Sequence, residues 1–219
     1  MRSGIIPLTA EKNTFELRSI LTDDKVSWTN AEGTAKTIIS ACSKAVFKSL
    51  EGIINVTSGY MGGSMANPNY SDVCSGATGH AEVIKVEFKE EIVNLKTLLT
   101  FFLQIHDPTT LNRQGADVGT QYRSAIFCVT NQQKELAKRV VENMENSVYS
   151  GMKIVTEIIL IPEGKDETPP KEEVSSVFWK AEKYHQNYFF ENEHVPYCQS
   201  VIAPKLKKAR ELVKQINMS

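Results

Sequence analysis

The side chains best suited to chemistry in this chain lie in its turn-rich segments. Gly59-Tyr-Met-Gly-Gly63, Asn67-Pro-Asn-Tyr70, Gly76-Ala-Thr-Gly-His-Ala-Glu-Val83, His106-Asp-Pro-Thr109 and Gly115-Ala-Asp-Val-Gly-Thr-Gln-Tyr-Arg-Ser124 combine acids, tyrosines and glycines. Loops leave such side chains free to meet a ligand instead of filling a core. Glu82 opens a stretch rich in valine and isoleucine. Its carboxyl is therefore expected to be partly desolvated and to hold a proton near neutral pH, as a general acid must. An edge-strand glutamate in a surface ion pair fits the same position. Tyr70 and Tyr122 read either as phenolic donors or as amphipathic core residues with satisfied hydroxyls. Asp117, flanked by Gly115 and Gly119, reads alone as a turn residue. His80 and His185 read as structural histidines; neither has a ligand set close in sequence, so no metal is expected.

Thiol chemistry has four candidates, Cys42, Cys74, Cys128 and Cys198, which form no CxxC pair and no zinc-like spacing. Cys128 sits in the apolar run Ala125-Ile-Phe-Cys-Val-Thr130 and reads as a small buried hydrophobe. Cys42 falls where a strand gives way to a helix, and a helix N-terminus lowers a thiol pKa. Cys74, close to the Tyr70 and Glu82 segments, is a weaker alternative.

These groups need a scaffold, and the patterning supplies one. Thr37-Ile-Ile-Ser40 is a short strand, followed by a helix from about Cys42 whose face is Val46, Phe47 and Leu50 and whose end is Gly52. Ile53 to Tyr60 and the alternating Glu82-Val-Ile-Lys-Val-Glu-Phe88 are two further strands. Asn94 caps a helix to about Ile105 with Leu95, Leu98, Leu99 and Phe102 on one face, and Ser124 to Thr130 is a fourth strand. Pro108 biases Asp107 away from helical geometry, so His106-Asp-Pro is expected to end the preceding helix. Strand, helix, strand, strand, helix, strand is the order of a split βαβ unit. The fold class is α+β: a ferredoxin-like two-layer core with long loops and a C-terminal tail. A helix from Gln132 to about Asn146, a strand from Ile154 to Ile161, the charged loop Gly164 to Pro170 and the helix-compatible aromatic run Phe178 to Phe189 follow. Residues 1–34 lack periodicity and read as an extension, 35–208 as the domain, and 209–219 as a tail.

Composition narrows the function classes. With 25 basic against 26 acidic residues and a net charge of −1, no global field attracts nucleic acid or anionic lipid. No apolar run approaches the ~18 residues of a membrane span. The start, Met1-Arg-Ser-Gly-Ile-Ile-Pro-Leu-Thr9, carries too short an apolar patch for a secretion signal. A cytoplasmic monomer is expected, with an organelle address left open.

The turn-rich motifs closely resemble the methionine sulfoxide reductase A family over roughly residues 35–208. That resemblance implies thiol-dependent reduction of free and protein-bound methionine-S-sulfoxide to methionine, with no cofactor beyond an external reductant, thioredoxin being the expected one. Gly79-His-Ala-Glu82 matches the motif whose glutamate protonates the sulfoxide oxygen. Tyr70 and Tyr122 match the tyrosines that share that oxygen, and Asp117 the acid that orders the site. The family nucleophile sits in Gly-Cys-Phe-Trp, with a glutamate shortly after; here it corresponds to Cys42. Counted back from Tyr70, the family cysteine falls at Ile39, three residues before Cys42. A gap just after Cys42 accounts for this and removes the Phe-Trp pair that walls the methyl pocket; Lys44 then stands where the glutamate would be. Without a gap, Ile39 replaces the nucleophile. Cys198 lies where many members carry a resolving thiol. Two alternatives accompany the enzyme: a sulfoxide-binding or scaffold protein that kept the polar pocket, and an unrelated ferredoxin-like module.

Overall fold

The computed structural model describes residues 30, 32–40, 44–161, 174–186, 188–196 and 198–217. Cys42, nearly all of the 1–34 extension and the Gly164–Pro170 loop lie outside these residues. The chain runs through β1 (Thr34–Ser40), α1 (Lys44–Phe47), β2 (Ile53–Met61), α2 (Tyr70–Cys74), β3 (Ala81–Lys89) and α3 (Leu95–Ile105). A small hairpin of β4 (Arg113–Gln114) and β5 (Asp117–Val118) comes next, then a 3₁₀ turn (Thr120–Tyr122), β6 (Ala125–Cys128), α4 (Asn131–Asn146) and β7 (Glu157–Leu160). The C-terminal part contributes β8 (Trp179–Lys180), α5 (Lys183–Gln186), α6 (Tyr188–Glu191), a π turn (Cys198–Ile202) and α7 (Ala203–Asn217).

β1 and β3 form the centre, antiparallel from Thr34↔Lys89 to Ser40↔Val83. β6 flanks β1 and β2 flanks β3, both antiparallel, giving the order β6-β1-β3-β2. That is the split βαβ, ferredoxin-like arrangement expected from the patterning. β7 extends it in parallel beside β6, and β8 closes the other edge antiparallel to β2.

Alternation along the strands sets the two layers, because successive side chains point to opposite faces. Ile39, Ile84, Val86 and Phe88 pack on one face with residues of α3, α4 and α7. Ile38, Met61, Val83 and Phe127 face the other way and are covered by Ile161 and Phe178. Leu98, Leu99, Phe101 and Phe102 of α3 are each at most 1 % exposed, a burial worth about 1.5–3 kcal/mol per side chain.

Several details differ from the sequence reading. The described part of the first helix is one turn, Lys44–Phe47, since Lys48 to Gly52 form turns and Gly52 adopts a positive φ of 87°. The aromatic run Phe178 to Phe189 is not one helix. Trp179 and Lys180 add a strand to the open edge of β2, where backbone groups would otherwise be unpaired. The break drawn at residue 209 falls inside α7. Ala209 is fully buried and Leu212 is 7 % exposed, so this helix docks on the core instead of trailing from it.

The Asn94 cap is present as expected: its side chain accepts from Thr97 N at 2.8 Å. Asn94→Ala should lower unfolding free energy by about 1 kcal/mol in urea denaturation, because α3 carries the central core stripe. An unchanged midpoint would show that α3 is held by packing alone.

Candidate active site

Glu82 is the second residue of β3 and shares a face with Ile84 and Val86, so its carboxyl points toward the helical layer. There it borders a cavity of about 30 Å³ that Ser40, Val46, Phe102, Ile105 and Tyr122 also line. The oxygen Oε1 is buried and makes no hydrogen bond among the described residues. Burial first, and the nearby Asp117 second, push the Glu82 pKa up to about 7. The carboxyl is thus divided between its two forms at neutral pH, the condition for donating a proton and recovering it.

Tyr70 opens α2, whose start is a capping box. Asn69 Oδ1 accepts from Asp72 N and Asp72 Oδ2 accepts from Asn69 N, both at 3.0 Å. Tyr122 ends the 3₁₀ turn that follows the β4–β5 hairpin, and Asp117 sits in that hairpin. Burial and then Glu82 push the Tyr122 phenol up to about 12. A hydrogen bond with the Cys74 thiol, then burial, raises that of Tyr70, which also feels Glu82 and Tyr122. The fold therefore gathers Glu82, Tyr70, Tyr122 and Asp117 from four elements in three segments of the chain. Both phenols stay protonated and able to donate.

Glu182 is a member of this neighbourhood that the sequence reading missed. Its Oε1 accepts from Tyr70 N at 2.7 Å and its Oε2 from the Tyr60 hydroxyl at 2.8 Å. Burial alone would raise its pKa, but hydrogen bonds from its own backbone, Tyr70 N and Tyr60 hold it below the usual carboxylate value. His185, three residues on, lies against Tyr70 with ring centroids 4.2 Å apart and planes tilted by 52°. The C-terminal aromatic run thus anchors α2. The run's density of aromatic residues was the one available signal, and it did not single out the acid between them.

His80 is structural, as expected. Its Nδ1 accepts from Gly63 N at 3.0 Å and its Nε2 donates to Met65 O at 2.8 Å. A Cβ on Gly63 would lie 2.4 Å from His80 N and Thr78 O, so only glycine permits this approach. His106 ends α3, with Nδ1 bonded to Phe102 O at 2.6 Å and Nε2 to Ser124 Oγ at 2.8 Å. Burial pushes its pKa down to about 4, so it is neutral at physiological pH. Among the described residues, no group of three or more His, Cys, Asp or Glu could hold a metal ion. No helix of those residues is long and apolar enough to cross a membrane.

The thiols are placed very differently. Cys128 is buried in β6, and burial pushes its pKa up to about 12. Cys198 is 0 % exposed, and burial followed by Glu193 raises its pKa. Cys74 is exposed and stands on the Tyr70 face of α2, four residues along. Ser40, two residues before Cys42 in the chain, lines the Glu82 cavity, and Val46 lines it four residues after. Ile39 is a core residue of β1, 0 % exposed and opposite Ile84 and Ile126. It stands in the sheet and not in the cavity.

The family model for peptide methionine sulfoxide reductase matches residues 41–217. The chain belongs to this family. Its relatives include peptide methionine sulfoxide reductase MsrA of Ruthia magnifica, 48% identical over 167 residues that cover 76% of this chain and 90% of the relative. The MsrA of Saccharolobus solfataricus is 43% identical over 171 residues, covering 78% and 88%. Among solved structures, methionine sulfoxide reductase A of Corynebacterium diphtheriae aligns at TM-score 0.64 and 30% identity, covering 74% of this chain and 76% of that one. Reduced Mxr1 from Saccharomyces cerevisiae aligns at TM-score 0.64 and 29% identity, covering 80% and 94%. This reductase is an oxidoreductase of the MsrA type, and the unrelated ferredoxin-like module is set aside.

The raised Glu82 pKa has a consequence for stability that is independent of turnover. The folded value, about 7, exceeds the ordinary 4.5, so the protonated group is favoured on folding. Stability is full below the ordinary value and falls as pH rises through about 7, where a buried charge forms. Glu82→Gln should therefore raise the unfolding free energy at pH 8, by on the order of 1–3 kcal/mol, and leave it nearly unchanged at pH 4. Urea melts at both pH values check this; an equal effect at both would remove the buried-acid assignment.

Proposed function

We propose that this reductase converts methionine-S-sulfoxide, free and in oxidised proteins, to methionine with Cys42 as nucleophile and Glu82 as general acid. The observation that supports this most is the buried Glu82 oxygen, without a hydrogen bond among the described residues, at a cavity bordered by Tyr122 and by both flanks of the Cys42 segment. The sulfoxide sulfur is a poor electrophile until its oxygen is protonated. Glu82 gives that proton while Tyr70 and Tyr122 donate hydrogen bonds to the oxygen, and Asp117 keeps the Glu82 pKa high. The Cys42 thiolate attacks sulfur, the methionine sulfur–oxygen bond breaks as the protonated oxygen passes to the Cys42 sulfur, and methionine leaves with Cys42 as a sulfenic acid. Glu82 regains its proton from solvent.

In the second half-reaction the thiol of Cys198 attacks the sulfenic sulfur, releasing water and forming a disulfide that the thioredoxin dithiol reduces. Because Cys198 is fully buried at the start of the turn before α7, this step requires that turn to open. The enzyme works as a cytoplasmic monomer without a bound cofactor.

One observation favours a second reading, a sulfoxide-binding or scaffold protein with impaired catalysis. The described α1 is a single turn, and no Phe-Trp pair follows Cys42. Misplacing a nucleophile by about 1 Å costs roughly a hundredfold in rate. Turnover of methionine sulfoxide with dithiothreitol separates the two readings, since that reductant bypasses the resolving thiol.

Glu82→Gln should lower kcat by about a hundredfold or more while leaving sulfoxide binding largely intact, because Gln donates a hydrogen bond but no proton. In the parent enzyme kcat/KM should fall as pH rises above about 7, where Glu82 loses its proton. A flat profile from pH 6 to 9 would take the acid role from Glu82.

Cys42→Ser should abolish reduction altogether. Cys198→Ser should keep turnover with dithiothreitol and lose it with thioredoxin. One equivalent of methionine formed by Cys42→Ser in a single turnover would move the nucleophile to Cys74.

A further inference from the structure

Positive charge is concentrated where α1, whose Val46 lines the cavity, meets α5. Lys44 Nζ donates to Gln186 Oε1 at 3.4 Å. That amide is itself committed to backbone: Oε1 accepts from Ser58 N at 3.1 Å, while Nε2 donates to Ser58 O at 2.9 Å and Ala181 O at 2.8 Å. Lys48 lies one helical turn beyond Lys44, its backbone N–H bonded to Lys44 O at 3.2 Å, so both side chains leave the same side of the chain. Lys180 enters from β8 and adjoins Ala181, whose N–H donates to Ser58 O and whose carbonyl accepts from Gln186 Nε2. Lys48 and Lys180 are exposed, whereas Lys44 is half-buried.

Among the described residues, the hydrogen-bond partner of Lys44 is the neutral amide of Gln186. Burial, then Lys48, then Lys180 all push its pKa below the ordinary lysine value. Like charges gathered around a partly desolvated ammonium are unfavourable, and an anion between them relieves the repulsion. The patch is also well placed. Val46, in the same turn as Lys44, lines the Glu82 cavity. On the other side His185, the neighbour of Gln186, rests on Tyr70. An extended peptide advances about 3.3 Å per residue, so residues adjoining a sulfoxide in the cavity come within reach of the side chains of α1.

We propose that Lys44, Lys48 and Lys180 recognise carboxylate side chains flanking the oxidised methionine, so that methionine sulfoxides in acidic peptide segments are the preferred substrates. This deepens the reductase reading and rests on it. The two exposed lysines contribute mainly through screened surface attraction, and Lys44 through a fixed, partly desolvated contact.

The test uses three pentapeptides with a central methionine-S-sulfoxide flanked on both sides by Glu, Gln or Lys. At low salt the full-length reductase should show kcat/KM about fivefold or more higher for the Glu peptide than for the Lys peptide, the size expected of two exposed ion pairs. The ratio should shrink toward unity at about 1 M salt, where the Debye length is near 3 Å. The double variant Lys48→Glu with Lys180→Glu should invert the order. A parent ratio near unity, or a ratio that survives both reversals, would overturn the proposal. If none of the peptides is reduced, the reductase reading fails. Fluorescence anisotropy with the labelled peptides then still decides this inference, because the order of affinities, Glu over Gln over Lys, must follow the lysines.

Discussion

The register between β1 and β3 is the constraint on which the site depends. Seven consecutive pairs, ending at Ser40↔Val83, fix the exit of β1 beside the entry of β3. A strand period of two then leaves Glu82 facing the helices. A one-residue slip of β3 would turn Glu82 to the opposite layer, beside Met61 and Phe127, and would bring Val83 to the helical face in its place. The alternation of the two central strands thus secures the core and aims the acid at once. A pKa displaced toward 7 follows from where the carboxyl is held, not from any special property of the residue.

Around that acid, the supporting groups are fixed by short-range devices. The Asn69–Asp72 capping box sets the start of α2 and so the origin of the Tyr70 side chain. The doubly bonded His80 ring ties the Gly63–Met65 backbone to the segment leading into β3. Arg123, 8 % exposed, donates to Glu157 Oε2 at 3.1 Å and to Thr120 O at 3.0 Å, which clamps the turn that ends at Tyr122. The first sets the origin of the Tyr70 side chain, and the last holds the turn that brings Tyr122 to the cavity. Rigid support of this kind is what a reaction sensitive to small displacements requires.

Much of this was legible in the sequence because it rests on periodic or local signals. The alternation from Glu82 to Phe88, the Asn94 cap and the Pro108 stop all reappear as expected. Elements whose stability is borrowed from tertiary contacts were not legible. Trp179-Lys180 is too short to announce a strand and exists because β2 presents an open edge. Ala209 and Leu212 sit in a run dominated by lysine and arginine, so their burial depends on where α7 docks. Glu182 was invisible for a related reason: a carboxylate flanked by lysine and alanine gains its meaning from Tyr60 and Tyr70, which are far away in the chain. Tyr70, Tyr122 and Asp117 are ambiguous in their local readings, and only the motif match singled them out.

The Glu182 clamp also bears on how the protein matures. Its two hydrogen bonds span 122 and 112 residues of chain, from Tyr60 and Tyr70 to a carboxylate near the C-terminal end. Chains grow from the N-terminus at about 5–20 residues per second. For several seconds, therefore, a nascent chain contains β1, β3, Tyr70 and Glu82 without the residue that fixes α2 in place. Contacts so distant along the chain are among the last to form. A polypeptide still on the ribosome would hold the acid and its tyrosines before it could hold them still, and a truncated product would be left in that unfinished state.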